Sequence, residues 1–272
     1  MSKIIRQLAV ASGLTAGVLG ASPALAAGTA AGSTITNTAT LNYQVGGVAQ
    51  TSINASNNIT VDRKITLTVA EVGSATTTVV PGSSAQVTSF TVTNSSNDTI
   101  DLGLTAAQLS GGTAAHGGTD NFDLTGLSMF VDTNSNGTYD AGTDQAATFL
   151  DEVAADASRT VFIVGNVPLG RANADVAGVT LVAQARAGGS AGSQGAVITE
   201  TTGANTAGMD TVFADAAGPA SGDAARDGKA SDDDDYTVSA PTLTVTKQSR
   251  VVSDPVNGST NPKLIPGAVV EY

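Results

Sequence analysis

The chain has 272 residues, with 24 Asp or Glu against 12 Lys or Arg, a single His, and neither Cys nor Trp. A formal net charge of −12 repels phosphate, which argues against nucleic acid and anionic lipid as partners and favours attraction of divalent cations. Because no disulfide can form, the fold must rely on core burial, sheet hydrogen bonds or bound metal.

The first 26 residues have the order of parts of a secretory signal peptide. Lys3 and Arg6 precede an apolar segment of small residues, Leu8–Ala21, and Ala24-Leu25-Ala26 forms a small-x-small cleavage site. The apolar segment falls short of the ~20 strongly apolar residues that a membrane span requires. We therefore predict export, with no membrane span in the mature chain. Two of the 12 basic residues leave with the leader, so 10 remain against 24 acidic residues, a net charge of −14.

Apolar and polar residues alternate in many short segments, as they do in half-buried strands. Val161–Val164 is instead continuously apolar, which predicts a central strand covered on both faces. Only Thr105–Leu109 and Phe149–Ala157 are compatible with short helices. The pattern predicts an all-β, Ig-like antiparallel β-sandwich with long loops. The alternating segments are Ala39–Val45, which leads into a Gly46-Gly47 turn, Ile65–Val69, Phe90–Val92 and Val179–Ala185.

Composition divides the mature chain further. We expect a β-hairpin region over 27–62 that packs on or leads into a main sandwich domain over 63–213. The Gly, Ala and Asp-rich stretch 214–240 has no apolar period and predicts a solvated loop or linker. Residues 241–272 repeat the order of parts found in Ile65–Phe90, a Leu-Thr-Val strand followed by an apolar pair before Pro-Gly. This order predicts an incomplete second Ig-like repeat, because two strands cannot bury a core alone.

Seven segments carry a resemblance to a known family: ITNTATLNY, VDRKITLTVAE, FTVTNSSND, VDTNSNGTYDAGTD, DASRTVFIVGNVP, ANTAGMDTVFAD and SDPVNGSTNPKLIPGAVVEY. The chain resembles secreted repeat proteins of Gram-negative bacteria whose tandem Ig-like β-sandwiches form a conserved surface-repeat family, domain-of-unknown-function type eleven. The resemblance implies a structural role in the cell envelope or outside the cell and supplies no ligand. It also implies that a repeat beginning near residue 241 is truncated at Tyr272.

The inventory of reactive side chains argues against an enzyme. A Ser-His-Asp site would have to use His116, which lies in a Gly-rich loop, and no Gly-x-Ser-x-Gly elbow is present. We expect His116 to be a solvent-exposed loop residue. A glycosidase site with two carboxylates also needs aromatic side chains on which sugar rings stack, and this chain has few aromatic residues. The run Asp232–Asp235 has no spacing that defines a metal site.

One stretch does have the spacing of a metal site. Calcium loops of twelve residues take oxygen ligands from positions one, three, five, seven (a backbone carbonyl), nine and twelve, with Gly at position six. With Asp132 as position one, position twelve is Thr143, and the final carboxylate, that of Asp144, comes one residue later than in the motif. The alternative is a plain Asn-Gly hairpin turn, which explains Asn136 and Gly137 but none of the other oxygen ligands. The sequence therefore predicts a structural Ca²⁺ ion. Its predicted ligands are Asp132, Asn134, Asn136, Thr138, Asp140 and Asp144.

These observations predict a secreted, non-enzymatic structural or adhesive surface protein with an unidentified surface or matrix partner. Two alternatives stay open. In one, strands in Leu243–Tyr272 pair with another molecule and build an assembly by β-augmentation. In the other, the chain is a carbohydrate-binding module, which its few aromatic residues disfavour. The sequence places the product at the cell surface, outside the cell or in the periplasm.

Overall fold

The computed structural model describes residues 28–272, and the predicted signal peptide lies outside them. The described chain contains eighteen strands and no helix, and it divides into two compact units, one ending at Ser239 and the other spanning Ala240–Tyr272. The strands in chain order are β1 (Thr34–Leu41), β2 (Gln44–Val45), β3 (Val48–Ala49), β4 (Ile53–Thr60), β5 (Arg63–Ile65), β6 (Leu67–Glu71), β7 (Thr77–Val79), β8 (Gln86–Asn94), β9 (Ile100–Gln108), β10 (Thr125–Val131), β11 (Gln145–Ala146), β12 (Phe149–Val153), β13 (Ser158–Asn166), β14 (Val176–Ala187), β15 (Thr211–Phe213), β16 (Lys229–Val238), β17 (Arg250–Ser253) and β18 (Val269–Glu271).

Two five-stranded sheets form the body of the first unit. One has the order β11-β10-β13-β8-β6 and the other β12-β9-β14-β16-β7. Neighbouring strands in both sheets are antiparallel, except that β7 runs parallel to the end of β16. The sheets face each other, with β16 packed against β6 and β8 of the opposite sheet. The all-β sandwich predicted from the alternation is confirmed.

The core is built from small aliphatic side chains and a few aromatic rings. Phe90 and Val92 of β8, Leu181 of β14 and Tyr236 of β16 are all fully buried. The continuous apolar run Val161–Val164 lies in β13, the central strand of its sheet, and all four residues are buried. The strand covered on both faces is therefore confirmed.

The two stretches compatible with short helices form strands instead. Residues 105–108 continue β9, where Thr105 pairs with Val182 and Ala106 with Leu181. Phe149–Val153 forms β12 on the other side of β9. Both segments are short, and their sheet partners complete the backbone hydrogen bonds that an isolated helical turn leaves open.

The solvated linker expected over 214–240 is also wrong in its second half. Residues 229–238 form β16, which pairs along nine positions with β14. Its carboxylates have specific partners: Asp232 Oδ2 accepts the Glu71 backbone N–H at 2.7 Å, and Asp233 Oδ1 accepts the Thr180 hydroxyl at 2.5 Å. A strand with four consecutive Asp residues is buried because the surrounding structure supplies hydrogen bonds to them.

Buried Asp carboxylates also hold the long loops of the sandwich in place. Asp120 accepts the N–H groups of Gly111 and Gly178, at 2.7 and 2.9 Å. Asp215 accepts those of Asp227 and Gly228, at 3.0 and 3.1 Å. Hydrogen bonds to a charged acceptor contribute roughly 1.5–3 kcal/mol each. These contacts stabilise loops in a fold that has no disulfide.

The N-terminal hairpin is formed by strands whose side chains are almost all exposed. Strands β1 and β4 pair antiparallel over eight positions, and β2 and β3 pair at the tip across Gly46-Gly47. The cross-strand pairs Ile35–Ile59 and Leu41–Ile53 lie on one face of this ribbon, and all four side chains are exposed.

The unit Ala240–Tyr272 contains one two-stranded sheet, β17 with β18. Its loop is organised by Asp254, whose carboxylate accepts the backbone N–H groups of Val256, Asn257 and Lys263. The Asn257 N–H is the largest of the effects that hold the pKa of Asp254 well below its ordinary value. Across 28–272 we find no helix long and apolar enough to span a membrane.

Candidate metal centre

The predicted calcium loop connects two paired strands at an edge of the first sheet. Asp132 comes directly after β10, and Asp144 directly before β11. Val131 pairs with Gln145 and Phe130 with Ala146, so the strands meet where the loop begins and ends. The sheet therefore fixes the two ends of the loop relative to each other.

The first and last carboxylates of the motif are buried and shape the loop. Asp132 Oδ2 accepts the N–H of Gly137 at 2.8 Å, where the backbone turns with a φ of +73°. Asp144 Oδ1 accepts the N–H of Thr133 at 3.1 Å, and its Oδ2 accepts that of Asp140 at 2.7 Å. The two carboxylates thus accept backbone N–H groups from both ends and from the middle of the loop, which holds its turns in place.

Three of the intervening side chains converge. The amide nitrogens of Asn134 and Asn136 both donate to Asp140 Oδ2, at 3.0 and 2.6 Å. The Asn134 amide, followed by that of Asn136, lowers the pKa of Asp140 from its ordinary value. Side chains at motif positions three, five and nine therefore surround a single point at the exposed side of the loop.

The donor chemistry of the loop fits an oxygen-preferring cation. Asp132, Asp140 and Asp144 provide carboxylates, and each Asn amide can present its oxygen after a half-turn of the terminal torsion. Within residues 28–272, however, the three carboxylates do not all lie within 4.8 Å of one another. A cation bound by all three carboxylates must therefore draw them closer together. The predicted contribution of Thr138 is its carbonyl, and its N–H donates to Asn136 Oδ1 at 2.8 Å.

An aromatic contact joins this loop to the sheet beneath it. The Tyr139 ring lies 4.8 Å from the Phe130 ring and 6.0 Å from the Phe162 ring, measured between centroids. Phe162 is fully buried in the central strand β13. Because Tyr139 lies between motif positions seven and nine, its ring packs this part of the loop against the sheet.

The structure brings together a second acidic group that the sequence does not reveal. Oxygen atoms of Asp101, Asp151 and Glu152 lie within 4.8 Å of one another. Asp101 accepts the N–H groups of Glu152 and Gly195, both at 2.9 Å. The carboxylates of Asp151 and Glu152 likewise accept backbone N–H groups of residues 189–192. These hydrogen bonds hold a Gly-rich loop, which explains the cluster without a cation.

His116 is an exposed loop residue, as expected, and its imidazole contacts two carboxylates. The His116 side chain is 20% exposed, and its Nε2 lies 3.3 Å from Asp234 Oδ1 and 3.8 Å from Glu71 Oε2. These residues come from a loop and two strands that are far apart in sequence. Local spacing therefore carries no signal of the cluster, and the single His of the chain was the one available hint.

No family model matches the sequence, and no curated protein is similar to it.

Proposed function

We propose that this chain is an exported, non-enzymatic structural or adhesive protein of the bacterial cell surface, with a sandwich stabilised by calcium in the Asp132–Asp144 loop. The observation that carries the proposal is the convergence of Asn134 and Asn136 on Asp140, between two buried carboxylates that hold the loop ends. Export is supported by the leader-like first 26 residues. Calcium sites of extracellular modules typically have Kd values of ~10⁻⁴–10⁻³ M, which is the range we expect for this loop.

Calcium bound at this position acts on stability alone. Asn134, Asn136 and Asp140 would hold the ion through their side-chain oxygens, in place of their present hydrogen bonds to one another. Asp132 and Asp144 then complete the coordination from the two ends of the loop, together with the Thr138 carbonyl. Because those ends belong to paired strands, the ion staples β10 to β11 at the edge of the sheet. The ion would therefore cross-link two segments of an exported protein, which is the role that a disulfide usually has.

Surface exposure of the chain provides the test of this role. We expect protease added to intact cells of the source bacterium to cleave the chain, and cleavage to become faster when calcium is chelated. A periplasmic protein that must stay inside the outer membrane serves as the control. Protection of the chain on intact cells, with cleavage only after lysis, would contradict a surface role.

A second candidate function is self-assembly by strand donation. Residues 241–249 form no strand, and in this stretch Leu243 and Val245 are 83% and 93% exposed and alternate with Thr. An exposed alternating segment outside any strand is suited to β-augmentation of another molecule. We expect size-exclusion chromatography to show oligomers of the full chain and none after shortening it to end at Ala240. Elution of the full chain as a monomer would refute strand donation.

A further inference from the structure

The single imidazole of the chain meets two carboxylates at one edge of the sandwich. His116 Nε2 lies 3.3 Å from Asp234 Oδ1 and 3.8 Å from Glu71 Oε2, and one ligand atom from each of the three residues lies within 4.8 Å of the others. Two ligands bound tetrahedrally to zinc at ~2.0–2.1 Å are about 3.4 Å apart. The His116–Asp234 separation matches this spacing, and the His116–Glu71 separation exceeds it by about 0.4 Å.

Separate contacts position each of the three side chains. The His116 backbone N–H donates to Asp235 Oδ2 at 2.7 Å, which directs the loop onto strand β16. The Glu71 backbone N–H donates to Asp232 Oδ2 at 2.7 Å. The Glu71 carboxylate also accepts the N–H of Ser74, at 2.9 Å from each oxygen. The strand that supplies Asp234 thus also orients the other two residues, as the outer shell of a metal site does.

A buried hydroxyl beside the cluster lacks a hydrogen bond. Thr88 is 2% exposed, and its hydroxyl oxygen has no hydrogen-bond partner of normal geometry within the described chain. This hydroxyl faces the Asp234 carboxylate. Buried polar atoms in native proteins nearly always have a partner, and an exception calls for a bound water or ion. A water or an ion bound next to Asp234 would give the hydroxyl such a partner.

The charge of the cluster is unbalanced without a cation. The side chains of Asp234 and Glu71 are only 3% and 9% exposed. A divalent cation held between a neutral imidazole and these two carboxylates balances both negative charges.

We propose that Glu71, His116 and Asp234 bind a divalent transition metal ion of the Zn²⁺ class. An imidazole nitrogen with two carboxylates suits Zn²⁺, while Ca²⁺ prefers oxygen ligands alone. The three residues come from β6, from the 109–124 loop and from β16, so they meet only in the folded chain. The bound ion therefore fixes the Gly-rich loop around His116 against the sandwich.

The full chain, prepared without a polyhistidine tag and stripped with chelator, is titrated with Zn²⁺ by calorimetry. About 10 mM Ca²⁺ is kept present, which saturates an oxygen-only site of ~10⁻⁴–10⁻³ M affinity. We expect one Zn²⁺ per chain. Since His116 is the only histidine, its two ring-proton NMR signals are unique, and both should shift on binding.

Matched variants identify the ligands. His116→Ala and Glu71→Gln should each weaken Zn²⁺ binding at least tenfold, and Glu71→Gln keeps an acceptor for Ser74 if His116→Ala disturbs the loop. Asp132→Ala should leave Zn²⁺ binding unchanged, which separates this site from the calcium loop. Binding of equal strength in both ligand variants, or ring-proton signals that saturating Zn²⁺ does not move, would overturn the proposal.

Discussion

Removal of calcium should lower the melting temperature of the chain by about 5–10 °C. A ligand at a hundred times its Kd stabilises the folded state by about 2.7 kcal/mol. For domains of 150–250 residues, each kcal/mol corresponds to roughly 2–4 °C. With an expected Kd of ~10⁻⁴ M, about 10 mM Ca²⁺ reaches that regime. Differential scanning calorimetry in calcium and in chelator measures the difference.

Two variants identify the loop as the source of this dependence. Asp132→Ala should abolish the difference between the calcium and chelator curves, because it removes the ligand at position one and frees the Gly137 N–H. The same variant should also melt earlier in chelator, since that N–H then loses its acceptor. Glu200→Gln removes one negative charge from a surface pair with Arg226 and should keep the full calcium effect. Superimposable wild-type curves in calcium and chelator would refute the calcium staple.

The sequence predicts best where side-chain burial follows the alternation of the backbone. Val179–Ala185 and the all-apolar Val161–Val164 are strands in the expected places, because apolar residues enter a sheet core by period alone. The calcium loop could be proposed for a similar reason, since its side chains lie within thirteen consecutive residues. Its geometry follows from short-range hydrogen bonds such as those of Asp132 and Asp144.

Prediction fails where distant residues compensate for polar side chains. The run Asp232–Asp235 predicts a solvent-exposed segment, because four consecutive carboxylates are costly to bury. In the fold, Asp233 meets the hydroxyl of Thr180 on the neighbouring strand, and Asp235 meets the backbone N–H of His116. These partners lie more than fifty residues away along the chain. The same long separations hide the association of Glu71, His116 and Asp234 from any local pattern.

The strongest single test of the fold is Tyr236, at the end of the acidic strand. Tyr236 is fully buried, and its hydroxyl donates to the Ile163 carbonyl of the opposite sheet at 2.9 Å. Burial is the main reason that the pKa of this phenol is raised above its ordinary value. Tyr236→Ala should therefore lower the free energy of unfolding by about 3–5 kcal/mol, as other buried aromatic truncations do. Because the free energy of unfolding of a domain is only ~5–15 kcal/mol, this loss would remove much of its stability.

Tyr236→Phe separates the ring from the hydroxyl and should cost only about 0.5–1.5 kcal/mol, the net contribution of one hydrogen bond. Tyr272→Ala is the matched control, since that ring is 80% exposed and its removal should change stability by less than about 0.5 kcal/mol. Urea denaturation followed by circular dichroism measures all three. If residues 214–240 were a linker, Tyr236→Ala would change the free energy of unfolding as little as Tyr272→Ala does. If β16 is buried, Tyr236→Ala should be the least stable protein, Tyr236→Phe should be intermediate, and the wild type should be the most stable. The gap between the two Tyr236 variants then reports how much of the contact between the sheets comes from packing of the ring.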